Sequence, residues 1–164
     1  MRKLSLESAT EQVRDALTEA IVNGDIAPNQ PLSERDLSRE LGVSRTPIRE
    51  ALYALEGLGF VTRRTRVGWR VVIPDVDSVR EIFELRELLE SAGVVKVTTL
   101  SDEKLKPIVT LFDSFSGDEI ASRVHEYLET DRDFHNQIVL APANSRIIAI
   151  YQQAALQMDW FRHI

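Results

Sequence analysis

PLSERDLSRELGVSRTPIREALYALEGLGFVTRRTRVGWR, residues 31–70, decides how this chain folds. Ser33 can cap a short helix, and Asp36 three residues on gives a capping-box-like pair. Leu37 and Leu41 supply that helix's buried edge, and Gly42 closes it. Ser44 then caps a further helix almost at once, which runs to about Leu58 and stops at Gly59. Pro47 is tolerated because first-turn amides have no intrahelical partner. Two short helices joined by a tight glycine-containing turn make a helix-turn-helix unit. VTRR and GWRVV follow, two β-favouring runs joined by Thr65, Arg66 and Val67. They read as a hairpin with a basic tip, the wing of a winged helix.

Upstream, Val13, Ala16, Leu17, Ala20 and Ile21 fall at i, i+3, i+4, i+7 and i+8, the stripe of a helix lying on a core. Gly24 stops it, and Pro28 and Pro31 mark the loop beyond. Downstream, residues 74–77 combine a proline with acids and read as a linker. The rest is helical in pattern. Val79, Ile82, Phe83, Leu85, Leu88, Leu89 and Ala92 predict a long apolar face. A second helix starts at Ser101, with Pro107 kinking it or shifting its start. A third runs from about Asp118 to Leu140, and a fourth from about Asn144 is still running at Ile164. The expected fold is mainly α: a winged helix-turn-helix over 1–73 and an all-α helical bundle over 78–164.

Charge divides at the same place. The 164 residues carry a formal net charge of −6, which taken alone argues against a nucleic-acid binder. Residues 1–73, however, hold 11 Lys+Arg against 10 Asp+Glu, and residues 74–164 hold 9 against 16. Within 35–70 there are eight arginines and four acids, a local basic patch. The absence of cysteine excludes disulfide scaffolds and thiolate metal sites. No stretch has the apolar length of a membrane span or a secretory signal, so a cytoplasmic protein with no membrane partner is expected.

On a helical wheel, Ile48, Ala51, Leu52, Leu55 and Leu58 cluster on one side of the third helix. Arg45 and Arg49 lie one turn apart on another, beside Thr46 and Tyr53. A recognition helix needs this division, one face packed and the other offering donors to a major groove. The arginine fork suits guanine O6 and N7, or a phosphate. Taken by themselves, the two arginines fit a solvated face equally well; their place after a capped, glycine-turned helix and before a basic hairpin favours DNA.

These residues resemble the winged helix of the GntR family of bacterial regulators, through the SERDLSRELGVSRTPIREAL core and the LEGLGFV that follows. The helical half, with ELRELLE and DRDFHNQI, is similar to the FadR-like FCD effector domain of that family. The resemblance implies a phosphate contact by Arg35. It implies that Arg45, Thr46 and Arg49 face the operator, with Arg45 or Arg49 reading guanine, that Ser44 caps the helix and touches phosphate, and that Gly68 lets the wing backbone approach the minor groove. RRTRVGWR is bulkier than the family's glycine-rich wing tip. Glu50, Leu52 and Leu55 read as structural.

Arg86 and Glu90, at i and i+4, are read from spacing alone as a surface ion pair of small consequence. The resemblance instead puts Arg86 in the effector cavity, holding the acid group of a small organic ligand. Asp131 and His135 share a helix face at i and i+4 and can hold one divalent metal, zinc or similar. Alone they fit an Asp–His hydrogen bond as well. The family completes this pair with two later histidines. Here only His125 and His163 remain, at other positions, and the fourth helix is expected to be the last, leaving an effector domain without its final helices and with uncovered apolar surface.

The resemblance implies a homodimeric, sequence-specific transcription regulator, a repressor, that binds a palindromic operator and responds to a carboxylate effector. The alternatives are an architectural DNA-binding protein with a helical oligomerisation domain and a metal-dependent hydrolase built on Asp131, His135 and Glu126 or Glu129. The hydrolase needs about three ligands and a general base, and the sequence offers no third convincing ligand.

Overall fold

Ser8 begins the first element. In the structure, a computed structural model that describes residues 8–65, 67–117 and 120–162, its hydroxyl accepts from the Glu11 amide while the Glu11 carboxylate accepts from the Ser8 amide. This complete capping box starts α1 (Ala9–Val22). Val13, Leu17 and Ile21 of its stripe are buried, whereas Ala16 faces solvent. Gly24 follows the helix with φ +82°, a conformation side chains resist.

β1 (Pro31–Leu32) leads into α2 (Glu34–Glu40). The Ser33 hydroxyl accepts from the Asp36 amide at 3.3 Å, but the Asp36 carboxylate pairs with Arg39 at 2.8 Å instead of returning to the cap. The expected capping box is therefore half formed. Leu37 is buried, but Leu41 ends the helix 38% exposed, so the buried edge is narrower than its pattern implied. α3 (Arg45–Gly57) puts Ile48, Ala51, Leu52 and Leu55 wholly out of solvent. Burying the three larger side chains stabilises the unit by about 1.5–3 kcal/mol each.

β2 (Val61–Arg64) and β3 (Gly68–Val71) form the hairpin, and β1 adds to its other side in the antiparallel order β1-β3-β2. Arg63 pairs with Trp69 across the strands, and Arg64 with Gly68. Trp69 turns inward, 3% exposed. The core of α1, α2, α3 and the sheet also takes in Phe60 and Trp160, whose rings lie 5.4 Å apart. The Gln157 amide donates to the Leu58 carbonyl at 2.5 Å.

Four further helices follow: α4 (Val76–Val97), α5 (Asp102–Val109), α6 (Val124–Leu140) and α7 (Ser145–Phe161). α4 starts within the expected linker because Asp75 accepts from both the amide and the hydroxyl of Ser78. Pro107 lies inside α5, which ends two residues later. α6 begins at Val124, later than expected; Asp118, where its start was placed, lies outside the described residues. α7 is described to Phe161; Ile164, to which it was expected to run, lies outside the described residues.

The chain divides into two compact units. One holds the described residues up to Ile82 with those from Ala155 onward; the other is Phe83–Ala154. In the second unit α4 departs most from its sequence pattern. Gly93 is its buried residue, while Phe83 is 46% and Leu88 72% exposed. The apolar set spans too wide an arc to face one way, since Leu88 lies nine positions, about half a turn around, from Val79. The face turned inward carries Arg86, Glu90 and Gly93 at i, i+4 and i+7. A Cβ at Gly93 would lie 2.2 Å from the Ile138 carbonyl oxygen, so glycine is what lets α4 approach α6 this closely.

Candidate functional site

In the N-terminal unit one carboxylate joins three elements. Glu34, first residue of α2, accepts from Arg49 Nη2 at 2.8 Å and from Arg49 Nε at 3.2 Å. It also accepts from Trp69 Nε1 at 3.2 Å. The start of α2, the second turn of α3 and the root of the wing thus meet within hydrogen-bond reach of one side chain. The Arg49 hydrogen bond holds the Glu34 carboxyl below its usual range, against a smaller opposing effect of burial, and Trp69 adds to the lowering.

The expected DNA-contacting residues are distributed around this junction. Arg35 follows Glu34 and is exposed. Arg45 lies one turn before Arg49, exposed, with Thr46 beside it. Among the described residues neither Arg35 nor Arg45 has an ion-pair partner, whereas Arg49 is held by Glu34 with its side chain 56% exposed. Ser44 takes the N-cap position, but its hydroxyl makes no capping bond, so the expected cap is backbone geometry alone. Gly68 opens β3 with φ +90°, next to Trp69. Glu50 accepts from Thr10 at 2.8 Å and so ties α3 to α1.

The wing root brings a further cation, Arg63, to the site. Arg63 lies over the rings of Tyr53 and Trp69, 5.6 Å from each centroid, and donates to the Tyr53 hydroxyl. Tyr53 meets Trp69 edge to face at 5.0 Å. A cation is thereby anchored at the wing root by two aromatic rings. Arg64 is exposed opposite Gly68; Arg66, at the expected basic tip, lies outside the described residues.

The second unit holds a buried polar cluster. Arg86 Nε and Glu90 Oε1 are 2.6 Å apart, their side chains only 12% and 15% exposed, so the expected surface ion pair is an interior one. His135 Nδ1 is 2.9 Å from Glu90 Oε2, and His135 Nε2 is 3.4 Å from Asp131 Oδ1. The Tyr151 hydroxyl reaches toward Glu90 at 3.5 Å. Burial pushes the Glu90 carboxyl up, but the His135 and Arg86 hydrogen bonds outweigh it and leave Glu90 below its usual range. Tyr151 is pushed up to about 12, mainly by burial and then by the charge of Glu90.

The Asp131–His135 pair has part of a metal geometry. Ligand atoms about 2.0–2.1 Å from a tetrahedral ion sit roughly 3.3–3.4 Å from each other, the spacing found here, and Glu90 on Nδ1 is the kind of partner that orients a ligating imidazole. Yet among the described residues no group of three or more His, Asp or Glu is arranged to hold a metal ion, since Glu90 sits on the other ring nitrogen of His135. His125 is exposed and faces Glu129 at 3.6 Å, and His163 lies outside the described residues. Two donors do not make a metal site, so the described residues do not fit the group that the resemblance implied. The same shortfall leaves the hydrolase reading without its third ligand.

Comparison with known proteins finds two family matches along the chain. Residues 9–71 match the profile of bacterial regulatory proteins of the gntR family, and residues 81–164 match that of the FCD domain. The chain belongs to the GntR family, in the group that carries an FCD domain. This GntR chain is 27% identical over 139 residues to the Nta operon transcriptional regulator of Aminobacter aminovorans, covering 84% of the chain and 65% of that protein. It is 29% identical over 159 residues to the gluconate operon transcriptional repressor of Bacillus subtilis, covering 96% and 65%. The matched stretch therefore spans less than two thirds of these relatives. A GntR regulator structure from Rhodococcus sp. RHA1 superimposes with a TM-score of 0.72 at 26% identity, over 95% of this chain and 75% of that one. Escherichia coli McbR/YncC shares the fold, with a TM-score of 0.68.

Sequence reasoning missed Glu34 and Tyr151 altogether. Glu34 lies 15 positions from Arg49 and 35 from Trp69, so no local spacing signals the junction. The Arg86–Glu90 spacing was visible, but its third member His135 lies 45 positions away.

Proposed function

We propose that this chain is a sequence-specific DNA-binding transcription regulator, a repressor, whose helical unit responds to a small organic acid. One observation carries the reading: Arg45, Thr46 and Arg49 project from α3 while its opposite face is fully buried, and the wing root beside them carries Arg63 and Arg64. A helix so divided offers donors to a major groove, and the wing's cations suit the adjacent phosphates. Arg35 at the start of α2 makes a phosphate contact, as does Ser44, whose hydroxyl is not spent on capping. Gly68 lets the wing backbone come close to the duplex. The chain acts as a homodimer on a palindromic site, in the cytoplasm where the chromosome lies. Among the described residues no helix is long and apolar enough to cross a membrane.

For the effector, Arg86 is the anchor. A guanidinium this little exposed binds an acid group more strongly than one in water, and an incoming carboxylate competes with Glu90 for it. Relatives' names mention gluconate and D-xylose utilization operons, so the acid class rests on Arg86 rather than on them.

The test is enrichment of fragments of the source genome by the purified protein at physiological salt, beside an Arg45→Ala/Arg49→Ala variant. One or a few palindromes enriched by the wild type alone are expected. Equal binding to all fragments would sink the regulator reading in favour of an architectural role. Once a site is known, release by a panel of organic acids, weakened in Arg86→Lys at unchanged melting temperature, checks the effector, since lysine keeps a cation beside Glu90 but loses the two-pronged grip.

A further inference from the structure

Arg45 and Arg49 are one turn apart on the same helix face, yet the structure treats them differently. Among the described residues Arg45 has no partner. Arg49 is gripped along one edge: Nε lies 3.2 Å from both Glu34 oxygens and Nη2 lies 2.8 Å from Oε2. A guanidinium has two edges that present parallel N–H groups. With the Nε–Nη2 edge on Glu34, the Nη1–Nη2 edge points away from the carboxylate, and among the described residues Nη1 has no acceptor. That outer edge is the one whose two N–H groups match guanine O6 and N7.

We propose that Glu34 is a positioning residue for base discrimination, holding the inner edge of Arg49 so that its outer edge meets a guanine as a fixed fork. This rests on the reading of α3 as the DNA-contacting helix. A long side chain loses rotamer freedom when it must adopt one geometry, and Glu34 has already imposed that loss before DNA arrives. Glu34 itself cannot swing freely. Trp69, 3% exposed, donates to the same carboxylate and ties it to the wing root. The carboxylate stays ionised because Arg49 holds its pKa down. Arg45, unbraced, keeps the adaptable reach of a phosphate contact. The structure thereby separates two arginines that spacing leaves equivalent.

The experiment selects binding sites from a random duplex library with the wild type, Glu34→Gln, Arg49→Ala and the Glu34→Gln/Arg49→Ala pair, alongside thermal melts and affinity for an unselected duplex. Glutamine keeps the size and an acceptor for Trp69 but loses the charged grip. Wild type should require guanine at one position in each half-site. Glu34→Gln should weaken that preference at least about tenfold, while its melting temperature and affinity for unselected duplex hold. In the Arg49→Ala background the same change should do nothing more to the preference. The proposal is overturned if Glu34→Gln binds every duplex more tightly with its guanine preference intact, which would make the carboxylate a mere repulsive charge. It is equally overturned if melting temperature and all affinities fall together, the mark of a structural brace. A wild type that selects no site at all fails the underlying reading as well, an outcome separate from a selective wild type matched by Glu34→Gln.

Discussion

Glu34 and Glu90 perform the same task in different surroundings. Each is a carboxylate that holds an arginine and a ring nitrogen: Arg49 and Trp69 in the winged unit, Arg86 and His135 in the helical one. The Arg49–Glu34 pair leaves its arginine more than half exposed, while both members of the Arg86–Glu90 pair are almost enclosed. Ion pairs in water contribute little to stability, whereas removing one partner of an enclosed pair leaves charge in a poor solvent. The first junction can therefore serve recognition at little cost to the fold, and the second must be kept intact for its unit to stand.

The hardest test of that contrast is Glu90→Ala. It strips Arg86 and His135 of the carboxylate they share, and a loss of about 3 kcal/mol in urea unfolding is expected. A loss as small as that of a surface pair would mean that the two junctions are energetically alike. Gly93→Ala comes next. Its methyl would meet the Ile138 carbonyl, a backbone atom that cannot rotate aside, so α4 must move off α6 at a cost of about 2 kcal/mol. Urea unfolding should show that loss, and an unchanged midpoint would mean that α4 can carry a methyl there without moving off α6.

Tyr151 offers a smaller effect with a definite sign. Its folded pKa of about 12 lies above the usual 10.0, so the fold favours the neutral phenol and the unfolded chain ionises first. That contribution is complete below pH 10 and is lost as pH rises from there toward 12. Wild type should lose stability relative to Tyr151→Phe across this window. Absorbance at 295 nm should show one of the three tyrosines ionising late. Coincident ionisation of all three would mean that Tyr151 is not enclosed beside Glu90. Smallest of all is Glu34→Gln, for which differential scanning calorimetry should find a melting temperature lowered by at most about 4 °C. A larger fall would erase the distinction between the two carboxylates.

The winged unit was legible because its signals are local. Ser33, Gly42, Ser44 and Gly59 bracket two helices within 27 residues, and, Leu41 aside, the apolar period matches the face that packs. The helical unit was legible in its element types but not in its inward face. Counting apolar residues on α4 pointed to Leu88 and its neighbours, whereas the face that packs is organised by an ion pair and a glycine. A polar interior defeats a hydrophobicity pattern, because what makes Arg86 and Glu90 tolerable inside is a set of partners from α6 and α7. The same limit hid Glu34. Residue types on the exposed face of α3 could be read from spacing, but which arginine is braced depends on a carboxylate from another helix.

Trp160 has a consequence for synthesis. It completes the core around Phe60, yet the ribosome makes it 100 residues later. At roughly 5–20 residues per second, Phe60 waits on the order of 5–20 s for its partner. During that interval the nascent winged unit has the residues of its helices and wing but shows an aromatic surface to solvent. A fragment cut after the wing would stay in that condition permanently, so its solubility is a poor guide to that of the whole chain.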